Sequence, residues 1–106
     1  GIQSLVNEIE RRKEKTFVLF TALGDKDVEK MIDKLSRSAD RLTITTFDFP
    51  RAITVEALKR IDSDLEIITP YQVAIDNALK FRDTHTIYIT GSLYFISLAR
   101  TYLKKA

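Results

Sequence analysis

Ile2, Leu5, Val6 and Ile9 recur at helical spacing, while Asn7, Glu8, Glu10 and Arg11 fill the opposite side. That pattern predicts an amphipathic helix over residues 1–14, with no residue ahead of Ile2 suited to cap it. Residues 16–23 (TFVLFTAL) then form a short, continuous apolar run, the signature of a strand buried on both faces. Gly24-Asp25 breaks the run. Asp27 is placed to cap a helix that carries Val28, Met31, Ile32 and Leu35 on one side. The next strand is predicted at 42–47 (LTITTF), followed by a loop, D-F-P-R-A at 48–52, that Pro50 stiffens. Thr54 can cap a helix over 55–61, and residues 65–68 (LEII) read as a short strand. Thr69-Pro70 suggests a helix start, with threonine as cap and proline in the first turn. Val73, Ala74, Ala78, Leu79 and Phe81 follow on that helix. A last strand at 86–89, expected to be buried, and a last helix at 92–104 complete the chain.

One helix followed by four strand–helix units implies an α/β fold of the Rossmann-like kind, a mostly parallel sheet with helices on both faces. The chain shows no internal repeat, linker or low-complexity stretch, and its 106 residues suit one domain. Between the last strand and the last helix stands Thr90-Gly91-Ser92. Gly91 lets the backbone bend, and Ser92 can cap the helix that follows. The first-turn amides of that helix would face outward, where open α/β sheets bind ligands and where anions are favoured. The spacing alone fits a plain connector as well as an anion-binding turn.

Composition narrows the classes. The chain is 44% hydrophobic, enough for a packed core and too much for a disordered chain. No apolar stretch approaches the ~20 residues needed to span a bilayer, and these residues show no basic-then-apolar run with a cleavage site, so nothing in them is expected to mark the chain for secretion. Cysteine is absent, which excludes disulfides and thiolate metal sites and fits a reducing cytoplasm. A formal charge of +2 does not argue for nucleic acid, and the densest basic run, Arg11-Arg12-Lys13, lies among glutamates on a solvated helix face.

Much familiar chemistry is missing. Three glycines, Gly1, Gly24 and Gly91, cannot supply a G-x-x-x-x-G-K phosphate loop or a G-x-G-x-x-G fingerprint. The single histidine, His85, reads as a surface residue, so no histidine-activated nucleophile is expected. Asp25 and Asp27 could touch a cation together, but a helix cap beside a solvated acid explains them better than a metal site. A phosphoacceptor receiver domain is also excluded. It needs an aspartate after its third strand and a lysine after its last, and here those positions read Thr69-Pro70 and Thr90-Gly91-Ser92; Asp25 alone fits that pattern.

Three blocks, each just after an apolar strand, do point to a family: A-L-G-D-K-D-V-E-K-M-I-D-K-L at 22–35, F-D-F-P-R-A at 47–52, and Y-I-T-G-S-L-Y-F-I-S-L-A-R at 88–100. In that order they resemble the C-terminal domain of the folylpolyglutamate synthase and bifunctional dihydrofolate synthase family, within the Mur ligase superfamily. The resemblance covers nearly the whole chain. In that family the domain opens with one further strand ending in D-G-A-H-N-P, directly before a helix like residues 1–14. The chain is therefore expected to be a fragment of a larger ligase whose first strand and central ATP-binding domain lie outside it.

The resemblance implies an ATP- and Mg²⁺-dependent ligase that activates a folate or pteroate carboxylate as an acyl phosphate, which the amine of L-glutamate attacks. The C-terminal domain closes over the central one, completing the ATP site and helping to position glutamate; closure brings the reactants together and keeps water from the acyl phosphate. It implies a cytoplasmic enzyme, no catalytic residue and no metal ligand within these residues, and no activity from this chain alone. Ser92, with the amides around Gly91, is the first candidate for contact with an anionic substrate group. Arg51 is the second, because a guanidinium binds carboxylate or phosphate through a planar fork, although a surface arginine reads the same way. Asp25 and Lys26 are the third, as interdomain or substrate contacts. Tyr94 is expected to pack the last helix against its neighbours. The competing reading is a free-standing, non-catalytic α/β module that binds a small molecule.

Overall fold

A computed structural model of the chain describes residues 1–24 and 27–105. Asp25 and Lys26 lie outside the described residues. The described elements run α1 (Ile2–Arg12), β1 (Thr16–Thr21), α2 (Val28–Ser38), β2 (Arg41–Ile44), α3 (Val55–Ile61), α4 (Tyr71–Leu79), β3 (Thr86–Gly91) and α5 (Leu93–Lys105). The three strands form one parallel sheet in the order β2-β1-β3.

β1 is central and buried along its whole length, as its unbroken apolar run requires. Its alternate residues divide the core in two. Val18 and Phe20 pack with Val6 and Ile9 of α1, with Ile32 and Leu35 of α2 and with Leu58 of α3. Phe17 and Leu19 face the other way, against Ala74, Ile75 and Ala78 of α4 and Phe95 and Ala99 of α5. The helices thus cover both faces, as a parallel sheet demands. Two expected caps form: Thr54 Oγ1 accepts from the Ala57 amide at 3.1 Å, and Asp27 Oδ1 accepts from Lys30 at 3.4 Å. Asp27 is therefore a helix cap, and among the described residues no group of three or more His, Cys, Asp or Glu side chains is placed to hold a metal ion. α1 begins after Gly1 without a side-chain cap.

Three expectations are corrected. Residues 65–68 do not make a full strand. They overlap β2 only at its last residue, so a single parallel bridge forms, Ile44 to Ile67. The Ile44 amide donates to the Glu66 carbonyl at 2.8 Å and the Ile68 amide to the Ile44 carbonyl at 3.0 Å. Thr69 does not cap α4, because Pro70 is extended (ψ 172°) and the helix starts one residue later, without a side-chain cap. β3 is not buried like β1: every one of its residues is half-buried, because it occupies a sheet edge and hydrogen-bonds a neighbour on one side.

Candidate functional site

Parallel strands bring their carboxyl ends to one side of the sheet, and the loops after β1, β2 and β3 gather there. Gly91 is the last residue of β3, paired with Thr21 of β1. Its φ is 126°, in the region that L side chains rarely adopt. An added Cβ would lie 1.7 Å from the Thr21 carbonyl oxygen. Glycine is thus required here twice over, by the dihedral and by the approach of β1.

Ser92 follows immediately and does what its position predicted. Its Oγ accepts from the Tyr94 amide at 3.2 Å, its own amide faces the Thr21 carbonyl at 3.4 Å, and its carbonyl accepts from the Ile96 amide at 3.0 Å. Among the described residues, no acceptor takes the Ser92 hydroxyl hydrogen. The first-turn amides of Leu93 and Phe95 have no acceptor within the helix, so the start of α5 presents a partial positive charge.

These residues form one wall of a cavity of about 510 Å³. Thr90, Gly91 and Ser92 supply its polar rim, while Phe20, Leu23, Met31 and Ile96 are among its apolar walls. Leu93 and Tyr94 also line it and are 82% and 54% exposed. The cleft therefore joins a small polar turn to a broad apolar surface.

Arg51 does not line that cleft. It lies exposed in the loop after β2. Its carbonyl accepts from the Gly24 amide at 2.7 Å, while the Ile53 amide donates to the Ala22 carbonyl at 3.0 Å. An antiparallel bridge between Leu23 and Ala52 continues the connection. So the second strand-end loop is stitched to the first by backbone bonds, and Arg51 stands outside the cavity. Asp25 and Lys26, between the described Gly24 and Asp27, fall outside the described residues.

Sequence reasoning missed how aromatic this edge is. Phe49, in the same loop as Arg51, stacks on Tyr94 with centroids 4.5 Å apart and planes 25° apart. Phe47 stacks on Phe49 at 5.6 Å and meets Phe95 at 5.8 Å. Tyr94 does pack α5 against a neighbour, but the neighbour is the arginine loop. The signal was present in the paired aromatics of F-D-F-P-R-A and S-L-Y-F. Among the described residues no helix is long and apolar enough to cross a membrane.

No protein-family model matches the chain. The dihydrofolate synthase/folylpolyglutamate synthase of Bacillus subtilis (strain 168) is 32% identical over 111 residues, which cover 98% of the chain and 25% of that enzyme. The chain thus spans about a quarter of the length of its curated relative. Two crystal structures of the bifunctional folylpolyglutamate synthase/dihydrofolate synthase of Yersinia pestis share the fold. The ligand-free one gives a TM-score of 0.70 at 21% identity, covering 85% of this chain and 22% of that one. The one complexed with AMPPNP and Mn ion gives 0.71 at 21% identity, covering 86% and 22%. By sequence the chain matches, over 98% of its length, the C-terminal part of a member of the folylpolyglutamate synthase/dihydrofolate synthase family, and it shares the fold of the solved structures of such enzymes.

Proposed function

We propose that the chain is the C-terminal domain of an ATP-dependent amide ligase that adds L-glutamate to folate through an acyl phosphate, and to pteroate in bifunctional members. Its part is to close the active site and to help position glutamate and ATP. The observation that carries this reading is the gathering of the three matching loops at the carboxyl edge of one parallel sheet, around the Gly91–Ser92 turn. A related structure was solved with Mn, AMPPNP and L-glutamate bound.

In this reading the Ser92 hydroxyl and the first-turn amides of α5 donate to an anionic group of the substrate, the glutamate carboxylate being the natural candidate. Arg51 meets a second anionic group. Asp25 and Lys26, outside the described residues, are assigned contacts with substrate or with the adjoining domain. Leu93 and Tyr94, exposed at the same edge, meet the ATP-binding part of the polypeptide when the domain closes. Magnesium and the phosphate-binding loop belong to that part, and this chain supplies no nucleophile or general base.

The test has two stages. The coding sequence upstream of Gly1 should encode, in frame, D-G-A-H-N-P and a phosphate loop; a start codon there instead would remove the ligase assignment and favour a free-standing binding module. In the longer polypeptide, Ser92→Ala should raise the KM for L-glutamate about tenfold or more, the loss of one hydrogen bond to a charged group. An unchanged KM would take Ser92 out of the site.

A further inference from the structure

We infer that Tyr94 is a positioning residue, whose ring clasps the loop bearing Arg51 to the helix start bearing Ser92. Two contacts of one residue carry this. The Tyr94 amide donates to Ser92 Oγ at 3.2 Å, and the Tyr94 ring stacks on Phe49 at 4.5 Å. Phe49 lies two residues before Arg51, and on the other side Ile53 is bonded to Ala22 at the end of β1. Arg51 is thus held between two tethers, one of backbone bonds to β1 and one of aromatic contact to α5. Within the loop, the Ala52 amide donates to the Phe49 carbonyl at 3.0 Å, so the turn bearing Arg51 closes on the residue that Tyr94 holds.

The geometry separates this role from ordinary packing. Phe47 and Phe95 are buried and belong to the core on the α4–α5 side. Tyr94 is more than half exposed, so the domain can lose its ring and keep that core. What the ring adds is local: it covers one face of Phe49 and ties together two loops remote in sequence. The clasp depends on the proposed function only for what Arg51 and Ser92 finally hold.

The test is amide hydrogen exchange by NMR on the 106-residue chain, comparing Tyr94→Ala, Tyr94→Phe and Phe49→Leu. A stacked aromatic pair changes a local opening equilibrium by about three- to tenfold. Tyr94→Ala should therefore speed exchange at the Ala52 amide by that factor. The Thr45 amide, which bonds the Phe20 carbonyl at 2.9 Å inside the sheet, should be unaffected. Tyr94→Phe, which keeps the ring, should exchange like the wild type, and Phe49→Leu should reproduce the alanine effect while keeping apolar bulk. Equal acceleration at Ala52 and Thr45 would mean general destabilisation, and no acceleration at Ala52 would mean no clasp; either overturns the inference. In the full ligase, Tyr94→Ala should raise the glutamate KM and Tyr94→Phe should not. If Ser92→Ala leaves that KM unchanged, Ser92 is out of the proposed site, and the exchange result still decides the clasp.

Discussion

Replacing Gly91 by alanine should be the most damaging single-methyl change in this chain. The added Cβ would sit 1.7 Å from the Thr21 carbonyl oxygen, 2.9 Å from its carbon and 3.2 Å from its nitrogen. All three are backbone atoms of the central strand, so no flexible side chain can swing away. To reach even 3.0 Å from the oxygen, the ends of β1 and β3 must part by more than an ångström. The φ of 126° adds strain of about 1–3 kcal/mol for a residue with a Cβ. Parting the strands forfeits roughly one further hydrogen bond, about 1 kcal/mol, besides contacts along the cleft. The total is about 2–4 kcal/mol, a large share of the roughly 5–15 kcal/mol that holds a domain of this size together. Urea unfolding followed by far-UV circular dichroism measures it. With a slope of about 1–3 kcal/mol/M, the midpoint should fall by on the order of 2 M, or the variant should be unfolded without denaturant. Gly24→Ala is the control, because its Cβ would meet the Arg51 carbonyl oxygen at an ordinary 3.7 Å; it should unfold within about 0.5 kcal/mol of wild type. A Gly91→Ala chain with the wild-type midpoint would show that β1 and β3 do not approach as described.

Other outcomes follow from local geometry. Leu58 is fully buried where α3 meets the sheet, so Leu58→Ala should cost about 2–5 kcal/mol in the same assay; a cost below 1 kcal/mol would place α3 elsewhere. Thr54→Ala removes the α3 cap and should cost about 1 kcal/mol, whereas Thr54→Ser, which keeps the acceptor, should cost less. The Tyr102 hydroxyl donates to both Asp76 oxygens at 2.8 and 2.9 Å, and that bond raises the phenol's pKa. Folding thus favours the neutral phenol: its contribution is complete below the ordinary value of about 10 and is lost as pH rises through the higher folded value. Asp76→Asn should bring Tyr102 ionisation, followed by tyrosinate absorbance, back towards that ordinary value; an unchanged titration would refute the pairing.

Much of the helical structure was legible because its causes are local. The heptad-like spacing of Ile2 to Ile9, the caps at Asp27, Thr54 and Ser92, and the apolar run of β1 are all settled by residues within a turn or two of each other. The α/β class followed from their alternation, and the role of Ser92 as a cap followed from its place after a strand. Caps that depend on a neighbour's exact dihedral were not legible: Thr69 lost its role because Pro70 remained extended. Burial of β3 was also misread, since an apolar run does not reveal whether a strand has one neighbour or two.

What only the tertiary structure decided is what meets at the carboxyl edge. The order β2-β1-β3 presses Gly91 onto Thr21, packing sets Phe49 against Tyr94, and the overlap of residues 65–68 with β2 at Ile44 limits them to one bridge. Packing also leaves Arg51 outside the cleft that Gly91 and Ser92 line. Each of these contacts joins residues far apart in sequence. Helix periodicity and capping are interactions over three or four positions, and the chain states them directly. Strand order and ring stacking depend on which distant segments share a sheet edge, and that is fixed only when the whole core packs.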